Sequence, residues 1–185
     1  MQSNYNNGML ISFTGAQSTG KTALLEICKD KYPEFTFVDE VTRKVKRKYE
    51  VSINEMGSDE TQLLILAEHI KNHMLPGNVF LVRCIFDGYI YTNYLHDVGR
   101  VSKPIVDMSI TIFDYLYNKL DYIFYTEPGD IKLVDDGVRS INNEFRNDII
   151  ERFERLISNY NSSKIIRLKG TIEERLQTIE KYIKQ

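Results

Sequence analysis

Cysteine is scarce in this chain, two residues in 185, and tryptophan is absent. Cys28 and Cys84 lie far apart, each within an apolar pattern. That spacing excludes a disulfide framework and a cysteine-rich metal site, and it reads as two small buried hydrophobes in a reducing compartment. Histidine is almost as rare. His69 and His73 share a helix face, but no acid completes a zinc motif such as H-E-x-x-H. No apolar run approaches the roughly 18 residues of a membrane span. The N-terminal MQSNYNNG lacks the apolar core of a secretion signal. An excess of one charge is missing too: 24 Lys and Arg stand against 26 Asp and Glu. No overall basic field therefore draws the chain to nucleic acid or to an acidic membrane, although a local patch is not excluded. No repeat, low-complexity segment or linker divides the chain. The expectation is one soluble domain over residues 1–185 with a polar tail over 1–8, in the cytoplasm of a cell or of an infected host.

Short apolar runs alternate with helical patterns. Met9–Thr14, Phe35–Val38, Val79–Phe86, Tyr122–Tyr125 and Lys164–Leu168 read as strands without polar alternation. Between them, helical spacing covers Lys21–Lys31, Asp39 to about Tyr49, Thr61–Met74, Ile105–Leu120 and Asn143–Tyr160. Thr171-Ile-Glu-Glu174 is a capping box that opens a last helix. Buried strands alternating with helices imply an α/β fold: a three-layer P-loop domain with a five-stranded, all-parallel sheet in order 2-3-1-4-5.

Gly15-Ala-Gln-Ser-Thr-Gly20-Lys21-Thr22 fulfils G-x-x-x-x-G-K-[ST] between a strand and a helix. The glycines let the backbone curl so that its N–H groups, from Ser18 and Thr19 onward, converge on an anion. The helix N-terminus adds a favourable dipole. Lys21 reaches the β and γ oxygens, as binder and catalyst at once, and the Thr22 hydroxyl can ligate Mg²⁺. The ligand implied is ATP or GTP with Mg²⁺.

Strand C-termini border the ligand crevice of such a sheet. Asp39 or Glu40, ending the second strand, is the candidate base for an attacking hydroxyl. Arg43, one helical turn on, could hold an acceptor, whereas Lys44, Lys46, Arg47 and Lys48 read as a solvated basic face. Asp87, placed at the end of the third strand, is the candidate Walker B acid for Mg²⁺. Tyr89 and Asn93 follow as candidate contacts to an acceptor's ring or sugar. Residues 127–140 form a polar excursion expected to act as a lid, with Arg139 delivering a cation to the transferred phosphate and Asp136 positioning it or the acceptor.

GAQSTGKT, DEVTR, FDGYIYTNYL and VDDGVRS, in that order over residues 9 to 183, resemble the P-loop kinase domain of bifunctional NAD-biosynthesis proteins and the related small AAA-type ATPases, many of them in phages. Tyr89 stands where that kinase carries a second acid. The resemblance implies a nicotinamide riboside kinase or a near relative. The expected activity is a small-molecule kinase that passes the γ-phosphate of ATP to a nucleoside- or nucleotide-like acceptor, with self-association as a homodimer left open. The alternatives are a kinase acting on modified bases in phage DNA and a non-enzymatic nucleotide switch. Asn118-Lys119-Leu120-Asp121 spells the guanine-reading N-K-x-D but ends a helix instead of following a strand, so it carries no GTP reading.

Overall fold

The computed structural model describes residues 8–129, 142–160 and 163–183. Five strands form one sheet: β1 (Leu10–Thr14), β2 (Thr36–Val38), β3 (Val79–Leu81), β4 (Tyr122–Thr126) and β5 (Ile165–Leu168). The order is β2-β3-β1-β4-β5 and every pairing is parallel. Among the described residues seven α-helices accompany it: α1 (Lys21–Lys31), α2 (Val41–Tyr49), α3 (Asp59–Asn72), α4 (Ile85–Asp97), α5 (Lys103–Tyr117), α6 (Asn143–Asn159) and α7 (Ile172–Ile183).

The period-2 geometry of the strands divides the core in two. Ile11 and Phe13 of β1 join Phe80, Phe124, Ile166 and Leu168 against Leu24, Leu25 and Cys28 of α1 and Ile179 of α7. Leu10 of β1 joins Val79, Leu81, Ile123 and Tyr125 on the other face, under Leu66 of α3, Ile85 and Ile90 of α4, Phe113 of α5 and Phe153 of α6. Both sheet faces are thus covered, which is why the strands lack polar alternation. Burying a side chain such as Phe13 or Phe124 contributes roughly 1.5–3 kcal/mol. The capping box at Thr171 forms in both directions: Thr171 N–H donates to Glu174 Oε2 at 2.8 Å, and Glu174 N–H donates to Thr171 Oγ1 at 3.3 Å.

The third apolar run departs from the expectation. Strand β3 stops at Leu81, and Ile85 already belongs to α4. Asp87 is therefore the third residue of a helix and does not end a strand. Its side chain accepts from the Cys84 N–H at 3.2 Å, half of a capping box that starts α4. A continuous apolar stretch hides such a strand-to-helix junction because both elements are buried there. Asp121 of the N-K-x-D stretch accepts from the Leu10 N–H at 2.7 Å, which fixes the start of β1 at the end of the sheet away from the phosphate loop.

Candidate active site

Strand β1 delivers the chain into the loop Gly15–Gly20, and the loop's conformation needs its glycines. Gly15 has φ 133° and Gly20 φ 88°; Ser18, at φ 56°, is also left-handed. A Cβ on Gly15 would lie 2.8 Å from Thr126 O, so the close approach of β4 requires glycine there. The outside of the loop is pinned. Thr19 Oγ1 lies 2.6 Å from Thr126 Oγ1, and Arg175 of α7 donates to Thr19 O at 2.7 Å, to Gly170 O at 3.1 Å and to Glu127 O at 3.3 Å. Lys21 is buried, with Nζ donating to Gly15 O at 2.7 Å and to Ala16 O at 2.5 Å. Thr22 is exposed at the start of α1. Arg146, in the first turn of α6, donates from Nε to Gln17 O at 3.3 Å, and its buried Nη2 has no hydrogen-bond partner among the described residues.

Beside the loop runs a chain of buried charges. Arg83, in the turn between β3 and α4, donates from Nε to Glu40 Oε1 at 2.8 Å and from Nη1 to Asp87 Oδ1 at 2.6 Å. The same Nη1 reaches Gly15 O at 3.3 Å. Arg43 donates to the second oxygen of Glu40 at 3.1 Å. Thr14 Oγ1 donates to Asp87 Oδ2 at 2.7 Å. Burial alone would raise the Glu40 carboxyl, but Arg83, Lys21 and Arg43 outweigh it and hold it down to about 2. Burial likewise disfavours the Arg83 cation, and Glu40, Tyr91 and Asp87 more than restore it. Arg83 is the residue sequence reasoning missed. The signal available was an arginine inside an otherwise apolar run, which is costly to bury without partners.

Glu40 separates two clefts. The inner one is lined by Glu40, Asn54, Gln62, Ile65, His69, Arg83, Asp87, Gly88 and Tyr91. The outer one, with a volume of about 630 Å³, is lined by Thr22, Glu26, Phe37, Asp39, Glu40, Arg43, Arg47 and Lys48 among others.

Lys21, Glu40, Arg43 and Asp87 thus converge on one region, whereas other expected contacts point elsewhere. Asp39 is largely exposed, 3.6 Å from Lys29. Tyr89 packs on Phe113, ring centroids 4.9 Å apart, between α4 and α5. Asn93 folds back to donate to Tyr89 O at 2.8 Å. The cause is the helix that replaces the expected strand end: its 3.6-residue period turns Gly88 and Tyr91 to the cleft and Tyr89 and Asn93 away from it. Asp87 is turned inward with both oxygens engaged. Arg139 and Asp136 lie outside the described residues.

A phosphate loop joined to a buried acid–arginine chain at the C-terminal edge of a parallel sheet is where the comparison with known proteins becomes informative. A family model described as an AAA domain matches residues 10–175. The chain belongs to this AAA domain family. No curated protein matches it by sequence. Among solved structures, this family member resembles a NadR protein in complex with NR, with TM-score 0.76 and 17% identity over 96% of this chain and 52% of that one. It also resembles deoxyadenosine kinase from M. mycoides with dCMP and dCDP bound, with TM-score 0.68 and 14% identity over 95% of this chain and 98% of that one. Thymidylate kinase from Candida albicans gives TM-score 0.65 and 16% identity over 96% and 91%. The chain spans about half the length of the NadR protein. The fold of this AAA-family chain is that of a P-loop kinase. Among its described residues, no helix is long and apolar enough to cross a membrane.

Proposed function

We propose that this chain is a kinase that transfers the γ-phosphoryl group of ATP to a hydroxyl of a nucleoside-like acceptor. The observation that carries the reading is the Arg43–Glu40–Arg83–Asp87 chain: Glu40, Arg83 and Asp87 line the inner cleft, and Arg83 also reaches the loop at Gly15 O. A structural ion pair has little reason to be buried beside a phosphate site, because removing charges from water costs several kcal/mol per ion. A reaction that gathers negative charge gives it one.

In this reading the amides of Ser18 to Thr22 and the Lys21 ammonium hold the β- and γ-phosphates. The residues fit a Mg²⁺ held mainly by the nucleotide's oxygens and water, with Thr22 as the protein ligand. Asp87, saturated by Arg83, Thr14 and the Cys84 N–H, positions Arg83 instead of ligating the ion. The acceptor enters the inner cleft with its hydroxyl toward Glu40. A carboxyl near 2 is a poor base for the ground state, so Glu40 first accepts a hydrogen bond that aligns the hydroxyl. As the acceptor oxygen bonds to the γ-phosphorus and the bond to the β,γ-bridging oxygen breaks, the acceptor's proton becomes acidic and passes late to Glu40. Arg83 and Arg146 offer cations to the charge that spreads over the transferred group. Arg139, with Asp136, is proposed to close over it from residues 127–140. The cavity volume of the inner cleft, about 30 Å³ in this conformation, admits water and not a nucleoside, so acceptor binding moves the lining side chains.

Steady-state kinetics of Glu40→Gln test this assignment. The variant should lose at least about 100-fold in kcat for a hydroxyl acceptor while its affinity for ATP holds. An intact kcat would remove Glu40 from the mechanism.

A second reading has its own observation. The outer cleft carries Arg43, Lys44, Arg47 and Lys48 beside Thr22 and Glu40, a face suited to the backbone of a nucleic acid strand. A kinase acting on a base in DNA would show steep loss of binding with salt; a nucleoside kinase would not.

A further inference from the structure

The inner cleft holds one polar group that nothing in the fold explains. His69, on α3, is 2% exposed and lines that cleft. Its Nδ1 is buried without a hydrogen-bond partner among the described residues. No described residue satisfies Nε2 either, which sits beside Gly88: a Cβ there would lie 3.0 Å from His69 Cδ2 and 3.3 Å from Nε2. An unsatisfied buried imidazole is unfavourable, and leucine would fill the same space without that cost. The neighbouring His73 has one nitrogen engaged, Nδ1 at 2.7 Å from His69 O, while its buried Nε2 has no partner among the described residues.

The missing side chain of Gly88 makes room for the ring against α4, and Gln62, two turns earlier on α3, completes the pair. The Thr92 hydroxyl lies 2.8 Å from Gly88 O and 3.0 Å from Gln62 Oε1. It has one proton, and the Gly88 carbonyl can only accept it. Turning the Gln62 amide over lets its NH₂ donate to Thr92 and releases Oε1 from that contact. For His69, orphaned buried donors are rarer than orphaned acceptors, so the favoured tautomer leaves Nδ1 bare and Nε2 as an N–H. Burial, with His73 and Arg83 nearby, keeps the ring neutral.

We infer that His69 and Gln62 read the edge of a planar heterocycle on the acceptor: His69 Nε2–H donates to a ring nitrogen or carbonyl oxygen, and Gln62 Oε1 accepts from an adjacent N–H. This rests on the kinase reading for the site and names the part of the acceptor that confers specificity. Glu40 and the heterocycle reader line the same cleft, so one molecule carrying a hydroxyl and a heterocycle spans both.

The test uses ¹⁵N-histidine-labelled full-length protein and deoxyadenosine, deoxycytidine, thymidine and nicotinamide riboside as probes, with turnover measured on the same samples. One nucleoside should move the His69 imidazole ¹⁵N signals. His69→Leu should fold with an unchanged or raised Tm, keep its KM for ATP, and raise the KM for that nucleoside roughly 10- to 100-fold. Gly88→Ala, which pushes the ring out of place, should raise the same KM. A purely structural histidine would instead lower Tm on replacement and leave KM alone. Turnover of a nucleoside with unmoved His69 signals, or with KM in His69→Leu within twofold of the wild type, overturns this inference and spares the kinase reading. A moved signal with no turnover supports the inference and sinks the kinase. Neither movement nor turnover with any probe overturns both.

Discussion

Arg83→Met removes the centre of the buried charge chain, and its cost can be worked from the contacts. Glu40 would keep the Arg43 hydrogen bond, at 3.1 Å, and the more distant Lys21 charge, and Asp87 would keep Thr14 and the Cys84 N–H. The depression of the Glu40 carboxyl from 4.5 to about 2 already corresponds to about 3 kcal/mol. Breaking a buried pair typically costs about 3–5 kcal/mol, so the variant should lose that much of a total on the order of 5–15 kcal/mol. At an m-value of about 2 kcal/mol/M, the urea midpoint should fall by roughly 1.5–2.5 M with m unchanged. Adding Glu40→Gln should recover at least about 1 kcal/mol, because the orphaned charge is gone. The pH dependence has a definite sign. Glu40 is depressed in the folded state, so its contribution is full above its unfolded value near 4.5 and is lost as pH falls through about 2. That acid-sensitive contribution should be largely absent from Arg83→Met. A midpoint shift worth less than about 1 kcal/mol, or strictly additive losses in the double variant, would refute the coupling.

Two further outcomes follow from the phosphate loop and from the lid proposed for residues 127–140. Lys21→Ala deletes a charge-assisted contact worth about 1.5–3 kcal/mol, so ATP should bind roughly 10- to 150-fold more weakly by calorimetry, and unchanged affinity would count against the loop as the phosphate site. Arg139→Ala should lower kcat more than it raises the KM for ATP, since a contact made mainly in the transition state adds little to ground-state binding; an effect confined to KM would make Arg139 a plain nucleotide ligand.

The architecture was legible because both of its signals are local. Buried parallel strands leave unbroken apolar runs, and the phosphate loop is a contiguous motif whose glycines, Lys21 and Thr22 each answer to a backbone or charge requirement. Glu40 was legible for a similar reason, as an acid at a strand end. The rest of the site depends on what faces what across elements. Between Val79 and Phe86 the sequence stays apolar apart from Arg83 while the chain turns from strand to helix, and the signal for that turn is a capping box with cysteine in place of the usual serine or threonine. Missing the helix moved Asp87 to a strand end, turned Tyr89 and Asn93 toward a site they do not face, and left Arg83 unremarked. Gln62 and His69 read as ordinary positions of an amphipathic helix until α4 is packed against them.

The central claim is phosphoryl transfer to a nucleoside-like hydroxyl, and the most direct measurement follows the phosphorus itself. The protein is incubated with γ-labelled ATP, Mg²⁺ and each of a panel of nucleosides, nucleotides, nicotinamide riboside and DNA, alongside Lys21→Ala as the control. The account predicts that label moves from ATP to one nucleoside-like acceptor, and that Lys21→Ala abolishes the transfer. Label that stays in ATP or appears only as inorganic phosphate across the whole panel would contradict it.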